Sequence, residues 1–250
     1  MPELTWPLSK EALIERREVA AGRLPERYAD PWERPFLDLL SEALRPGSRV
    51  LDVGSGARPT VPPEQRPDGC HYVGLDASGH ELARAPAGSY DETSVGDIVR
   101  PPELGEPFDL VVSWQVLEHV ASMRRALESQ RRALVPGGHL VAQLSGARAI
   151  HAVLSRAVPH RLATALMARL MGESPEDHFP THYDGCTHTD LQRFLAEGGW
   201  SHFRVIDRYK AGGYLRFSRP LQRAYLAYEN LIARGGRPDL ATHYLIHAVR

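Results

Sequence analysis

Apolar and polar positions along the 250-residue chain fall into two regimes. Over residues 1–45 they are helix-spaced. Ser9 predicts the cap of a helix running to about Ala21, with Leu13, Ile14 and the Arg17 stem on one face and Gly22 as its stop. Pro35 suits the first turn of a second helix, whose stripe of Phe36, Leu39, Leu40 and Ala43 ends at Pro46-Gly47. From Arg49 short apolar runs alternate with helical stretches, the pattern of a parallel sheet covered on both faces. Strands are predicted at Val50–Val53, Tyr72–Leu75, Thr93–Val95, Phe108–Ser113, His139–Leu144, Phe203–Asp207 and His243–Val249, the first five as buried runs.

Between the fourth and fifth strands, Ser122 is expected to cap a helix with Met123, Ala126, Leu127 and Leu134 inward. Its arginine-rich outer face, with a Glu128–Arg132 pair, reads as solvated. Ala147–Val158 and Arg161–Met171 read as amphipathic helices, followed by a Pro-, His- and aromatic-rich loop over Glu173–Thr189. The stripe Leu154, Leu162, Leu166 and Leu170 reads as packing against the domain rather than against a membrane. Thr189 and Gln192 form a capping box for a helix closed by Gly198-Gly199. A last helix, Pro220–Ala233, is expected to bury Leu221, Ala224, Tyr225, Tyr228, Leu231 and Ile232. The domain reading is a helical cap over 1–45 and an α/β domain over 46–250, with a substrate-covering insertion at about 145–189.

Composition narrows the function classes. Thirty basic against thirty-one acidic residues leave a charge of −1, without the basic footprint of a nucleic-acid binder. No apolar run reaches the length of an integral membrane segment, and the N-terminus lacks a signal pattern. Cys70 and Cys186 form no CxxC pair, which sets aside disulfide and zinc scaffolds and makes a reduced, cytoplasmic setting the default.

The chemistry begins at Val50-Leu51-Asp52-Val53-Gly54-Ser55-Gly56, a buried strand ending in a carboxylate and a glycine turn. Such glycines admit a ligand close to the backbone. Asp76 closes the next strand twenty residues after Gly56, where a carboxylate can accept from both ribose hydroxyls. At this point a nicotinamide-dependent oxidoreductase and an adenosyl-cofactor enzyme both remain open. Gly96-Asp97 then follows the third strand, Gln115-Val116-Leu117-Glu118-His119-Val120 follows the fourth, and Leu134-Val135-Pro136-Gly137-Gly138 leads into the fifth.

This ordered set, over about residues 49–144, resembles the class I S-adenosylmethionine-dependent methyltransferases. The resemblance implies a Rossmann-like seven-stranded sheet, mostly parallel with one antiparallel strand, the latter at His243–Val249. It also implies that Asp52, Gly54, Ser55 and Gly56 face the methionine end of S-adenosyl-L-methionine. Asp76 with Ala77 would hold the ribose, Asp97 with Ile98 would frame the adenine, and Trp114 and Gln115 would border the sulfonium. Two departures stand out: Arg58-Pro59 replaces the usual third glycine, and Pro62, Pro63 and Pro67 argue against a long helix after the loop.

Methyl transfer needs an aligned nucleophile and exclusion of water, and a base where the nucleophile is a hydroxyl. His119, Glu118 and His182 are the candidate catalytic residues, with Tyr183 beside the last as a substrate contact or a packing residue. Tyr28 and Arg34 are placed to reach the cofactor carboxylate from the cap. His178, His182 and His188, with Asp177 and Asp184, do not match a metal pattern well enough to assign one. The resulting reading is a methyltransferase acting on a small-molecule acceptor, at oxygen of a sugar, glycan precursor or secondary metabolite. Transfer to nitrogen or carbon, non-methylating use of the cofactor such as cyclisation, an NAD-dependent oxidoreductase and a non-catalytic cofactor-binding partner are the alternatives. Oligomeric state is open, a homodimer being compatible.

Overall fold

The computed structural model describes residues 4, 6, 10–149, 152–153 and 181–250. Ser9, the Leu154–Leu170 stripe, Asp177, His178 and most of the expected insertion lie outside the described residues. Among the described residues seven strands form one sheet: β1 Arg49–Val53, β2 His71–Asp76, β3 Glu92–Val95, β4 Phe108–Trp114, β5 Leu134–Ser145, β6 His202–Arg208 and β7 His243–Val249. Their order is β3-β2-β1-β4-β5-β7-β6, with β7 antiparallel to both neighbours and every other pairing parallel. This is the expected sheet. The order reverses between β1 and β4, so the chain parts there at the carboxyl ends of the strands and leaves a crevice.

Alternation along the strands assigns the two faces. Leu51, Val53, Val111 and Leu140 pack against helices α4 (Met123–Ala133) and α5 (His188–Glu197) through Met123, Leu127, Leu191 and Leu195. Val50, Tyr72, Leu110 and Val112 face α2 (Arg34–Ala43), which contributes Phe36, Leu37 and Leu40. Through α2 the N-terminal segment shares the sheet's core. Burial of Phe36 and Leu40 alone is worth about 1.5–3 kcal/mol per side chain. No helix among the described residues is long and apolar enough to cross a membrane.

Several expectations are corrected. Strand β3 is not buried: it is the sheet edge, with Val95 59% exposed. Helix α1 (Lys10–Ala20) leaves Leu13 and Ile14 in solvent and turns Ala12, Glu15 and Glu18 inward. Its buried acids are paired, Glu15 with Lys210 at 3.3 Å and Glu18 with Arg219 at 2.9 Å. Helix α6 (Arg219–Arg234) likewise buries Gln222, Tyr225, Leu226, Glu229 and Ile232, while Leu221, Ala224, Tyr228 and Leu231 are exposed. Here too buried polar groups choose the face: Gln222 Nε2 donates to the Gly212 carbonyl at 3.1 Å, and Glu229 Oε1 accepts the Ala211 N–H at 2.8 Å.

Caps shift as well. Thr187, not Thr189, caps α5 by accepting the Asp190 N–H, and Thr189 bonds to Asp239. Ser122 makes no side-chain cap for α4; the Met123 N–H is taken by Asp184 Oδ2 at 2.9 Å. Arg132 donates to Ser129 rather than pairing with Glu128.

Candidate active site

The crevice holds a cavity of about 300 Å³ across the carboxyl ends of β1, β2, β3 and β4. Each strand end supplies a piece of the wall: Val53-Gly54, Leu75-Asp76-Ala77, Gly96-Asp97-Ile98 and Trp114-Gln115-Val116, with His119 and Val120 beyond. Of the expected cofactor residues, Gly54, Asp76, Ala77, Asp97, Ile98 and Gln115 line it, as does the candidate base His119.

Asp76 is the best-defined acceptor. Its Oδ2 takes the Gly56 N–H at 2.9 Å and its Oδ1 the Ser78 N–H at 2.7 Å, which fixes the carboxylate between the glycine turn and the cap of α3 (Gly79–Ala83). Each oxygen keeps a lone pair for a ligand hydroxyl. Asp97 is held by the Val99 N–H on Oδ1 at 2.8 Å, and buried Ile98 gives a flat apolar neighbour.

Ser55, Gly56 and Asp52 do not line the cavity. Asp52 shares the face of Val50 and Tyr72, and its carboxylate is fully buried. Its oxygens accept the Thr60 N–H at 2.6 Å, the Thr60 hydroxyl at 2.8 Å and the Tyr72 hydroxyl at 2.9 Å. Burial pushes its pKa up to about 6 against these donors. Asp52 is therefore an anchor for the loop rather than a cofactor contact in this geometry. Tyr90 completes the fixing by donating to the Ser55 and Gly56 carbonyls at 3.0 and 3.1 Å. Thr60, Tyr72 and Tyr90 carried no sequence signal for this role. The prolines after the loop leave only a 3-10 turn, Pro63–Gln65, before β2.

Gly54 has φ +70°, and an added Cβ would lie 2.2 Å from Val116 Cγ2, so only glycine fits between strand end and cavity wall. Gln115 takes φ +57° without being glycine, a strained backbone at the cavity rim. Its Oε1 accepts the Ser145 hydroxyl at 2.9 Å, while its buried Nε2 has no protein acceptor.

Glu118 and His182 do not reach the cavity. Glu118 is buried, its Oε1 on the Ser145 N–H at 3.1 Å, and burial pushes its pKa up to about 7. His182 is exposed and touches this region through its N–H, donated to the Glu118 carbonyl at 2.9 Å. Tyr183 packs in the main core at 8% exposure. Tyr28 and Arg34 are also reassigned: Tyr28 bonds Glu229 Oε2 at 2.7 Å, and Arg34 pairs with Asp38 at 2.9 Å on the surface. Three N-terminal side chains do approach: the rings of Trp6 and Phe36 lie 4.7 Å from that of Trp114, and the Trp32 ring 4.9 Å.

A family model described as a methyltransferase domain matches residues 21–201, and the chain belongs to that family. A ubiquinone biosynthesis O-methyltransferase of Marinobacter nauticus is 29% identical over 102 residues, covering 38% of this chain and 42% of the relative. The first relatives matched are spanned over less than half of their own length. A solved methyltransferase from Thermotoga maritima, described as a possible histamine N-methyltransferase, superposes with a TM-score of 0.53 at 15% identity. That match covers 96% of this chain and 99% of the other. Phosphoethanolamine N-methyltransferase 2 of Haemonchus contortus, solved with S-adenosyl-L-methionine, gives a TM-score of 0.53 at 17% identity, over 96% and 57% of the two chains. These likenesses show the shared fold, that of S-adenosylmethionine-dependent methyltransferases.

The cavity fits that cofactor chemically. Its wall offers two carboxylates, acceptors for ribose hydroxyls and an adenine amino group, and among the described residues no Lys or Arg to meet a pyrophosphate.

Proposed function

We propose that the protein transfers the methyl group of S-adenosyl-L-methionine to an oxygen of a small-molecule acceptor. The observation that carries this reading is the cavity's polar pattern: the acceptors Asp76 and Asp97 at successive strand ends, with no Lys or Arg in the wall among the described residues, set at the switch point of the sheet. A dinucleotide would ask more of the loop. Its pyrophosphate calls for a helix N-terminus, and the glycine turn here runs into a 3-10 turn of three residues.

In this reading Asp76 accepts both ribose hydroxyls, Asp97 and Ile98 receive the adenine, and the Gly54 backbone borders the methionine portion. The bound cofactor supplies an electrophilic methyl, so the chain's task is alignment and exclusion of water. Trp114, Val116 and Val120 provide the apolar walls for that. His119 is the side chain of the lining placed to take a proton from an acceptor hydroxyl. Glu118 is buried outside the lining, where it holds Ser145 and through it Gln115. The near-neutral chain and its ordinary surface charge support a small acceptor in a cytoplasmic setting.

Calorimetric titration with S-adenosylhomocysteine and with NADH tests the first half: binding of the former alone is expected, and binding of NADH alone overturns the reading. Turnover of methyl-labelled cofactor tests the second. His119→Ala is expected to slow it about 10²–10⁴-fold with cofactor affinity unchanged. Equal activity would remove His119 as the base.

A further inference from the structure

We propose that a second cavity, beside the cofactor crevice, seats the acceptor, and that the moiety it recognises is a neutral, hydroxyl-bearing ring such as a pyranose. This rests on the methyl-transfer reading above. The cavity, about 320 Å³, lies among Glu15, Trp32, Glu33, Lys210, Arg216 and His243, with Gly213 and Tyr214 closing it. It belongs to the same end of the sheet. His243 opens β7 and pairs with Ser145 and Arg208, the last residues of β5 and β6.

Two contacts join it to the crevice. Trp32 lies 5.3 Å from the His243 ring in this cavity and 4.9 Å from the Trp114 ring, which lines the other. Ser145, the register partner of His243, donates its hydroxyl to Gln115 at the crevice rim. The contacting Trp32 and Trp114 rings thus form the boundary between the two cavities, and a reacting hydroxyl of an acceptor held here would reach the cofactor past their edge.

The lining selects the ligand class. Glu15 and Glu33 balance Lys210 and Arg216, so the cavity has no net charge to attract an ion. The cations are already engaged: Lys210 Nζ donates to the Asp30 carbonyl at 2.6 Å and pairs with Glu15, and Arg216 Nε donates to the Gly213 carbonyl at 2.9 Å. An anionic ligand would have to compete with Glu15 and Glu33 for these cations. Burial raises the pKa of both Glu15 and Glu33 although Lys210 donates to the first and Trp32 to the second, so further donors would stabilise each carboxylate. Ligand hydroxyls would supply those donors through charge-assisted bonds, and the Trp32 ring offers a surface for the apolar face of a ring.

Saturation-transfer NMR on the whole chain with S-adenosylhomocysteine present tests this, using methyl α-glucoside, methyl β-galactoside and N-acetylglucosamine, with glucuronate and galactosamine as charged counterparts. At least one neutral sugar is expected to receive saturation, and to lose most of it, five-fold or more, in Glu33→Gln and in Trp32→Ala. Thermal unfolding verifies that each variant is folded; Glu33→Gln serves where Trp32→Ala is not. No transfer to any neutral sugar, transfer to the charged sugars alone, or transfer undiminished in the folded variants overturns the proposal. Calorimetry with S-adenosylhomocysteine on the same samples reads the underlying function separately: a wild-type protein that binds it and no sugar leaves methyl transfer standing and removes this site. One that binds sugar but not S-adenosylhomocysteine does the reverse.

Discussion

Glu118 carries Ser145: its buried Oε1 accepts the Ser145 N–H at 3.1 Å, and the Ser145 hydroxyl in turn donates to Gln115. The Glu118 carbonyl also accepts the N–H groups of His182 and Tyr183, at 2.9 and 3.0 Å. Gln115 and Tyr183 are the two non-glycine residues with positive φ among those described, at +57° and +52°. One side chain and its own carbonyl thus hold the β4 exit, the end of β5 and the 182–183 turn, including both strained backbones. The Glu118 Oε2 atom is buried without a protein partner, so the charged form gains nothing further there.

Glu118→Gln should therefore flatten the pH dependence of stability. Burial raises this carboxyl from the ordinary 4.5 to about 7 in the folded chain. A raised folded pKa means stability that is complete at acid pH and declines as pH climbs from about 4.5 through 7. The variant, which cannot ionise, should gain on wild type across that window, by about 3 kcal/mol at most above pH 8. Asp52, raised to about 6 in the same direction, leaves a residual slope in both proteins. Urea unfolding at pH 5 and pH 8 reads the difference; identical slopes would show that Glu118 ionises freely in the folded state.

Asp76→Ala removes the acceptor between the Gly56 and Ser78 N–H groups. S-adenosylhomocysteine should bind about 10–100-fold more weakly, the equivalent of roughly 1–3 kcal/mol for charged hydrogen bonds. The free protein should also lose some stability, because the turn loses its anchor. Calorimetry separates the two effects, and an unchanged affinity would take Asp76 out of the ribose contact.

Gly54→Ala should be far worse than an ordinary glycine substitution. The new Cβ would sit 2.2 and 2.7 Å from the two Val116 Cγ atoms, at a φ of +70°. Adding Val116→Ala removes both Cγ atoms and leaves Cβ at 3.0 Å. The double variant should recover much of the melting temperature and ligand affinity, keeping a backbone cost of about 1–2 kcal/mol. No recovery would mean that the conformation, not the collision, sets the requirement.

What the sequence announced and what it hid divide along one physical line. Strand ends and glycine turns are local, so Gly54, Asp76, Asp97 and Gln115 could be placed on the crevice from their spacing and the family resemblance alone. Helix faces were misjudged wherever a polar side chain is buried by a partner far along the chain. Glu18 is paid for by Arg219, and Glu229 by Arg27 and Tyr28, all about two hundred residues apart. Apolar periodicity could not see those pairs, and so it misplaced the inner face of α1 and, apart from Tyr225 and Ile232, that of α6. The bonds that hold Asp52 were hidden for the same reason, since they depend on where Thr60 and Tyr72 arrive. Trp32 had no motif to mark it; its meaning comes from Trp114 and His243 on either side.

Tyr28→Phe should weaken the fold and spare the cofactor. The Tyr28 hydroxyl donates to Glu229 Oε2 at 2.7 Å and accepts the Gly212 N–H at 2.8 Å, while Arg27 Nη2 reaches the same Glu229 oxygen at 2.5 Å. This network ties the N-terminal segment to α6 and to the turn that walls the second cavity. Removing the hydroxyl strands a buried N–H and strips one donor from a buried carboxylate, at a cost of about 1–3 kcal/mol. For a chain of this size that corresponds to a fall in melting temperature of roughly 2–10 °C. Affinity for S-adenosylhomocysteine should stay as in wild type, because no atom of Tyr28 lines the crevice. A variant of unchanged stability and reduced affinity would return Tyr28 to the cofactor-binding role that its position ahead of β1 first suggested.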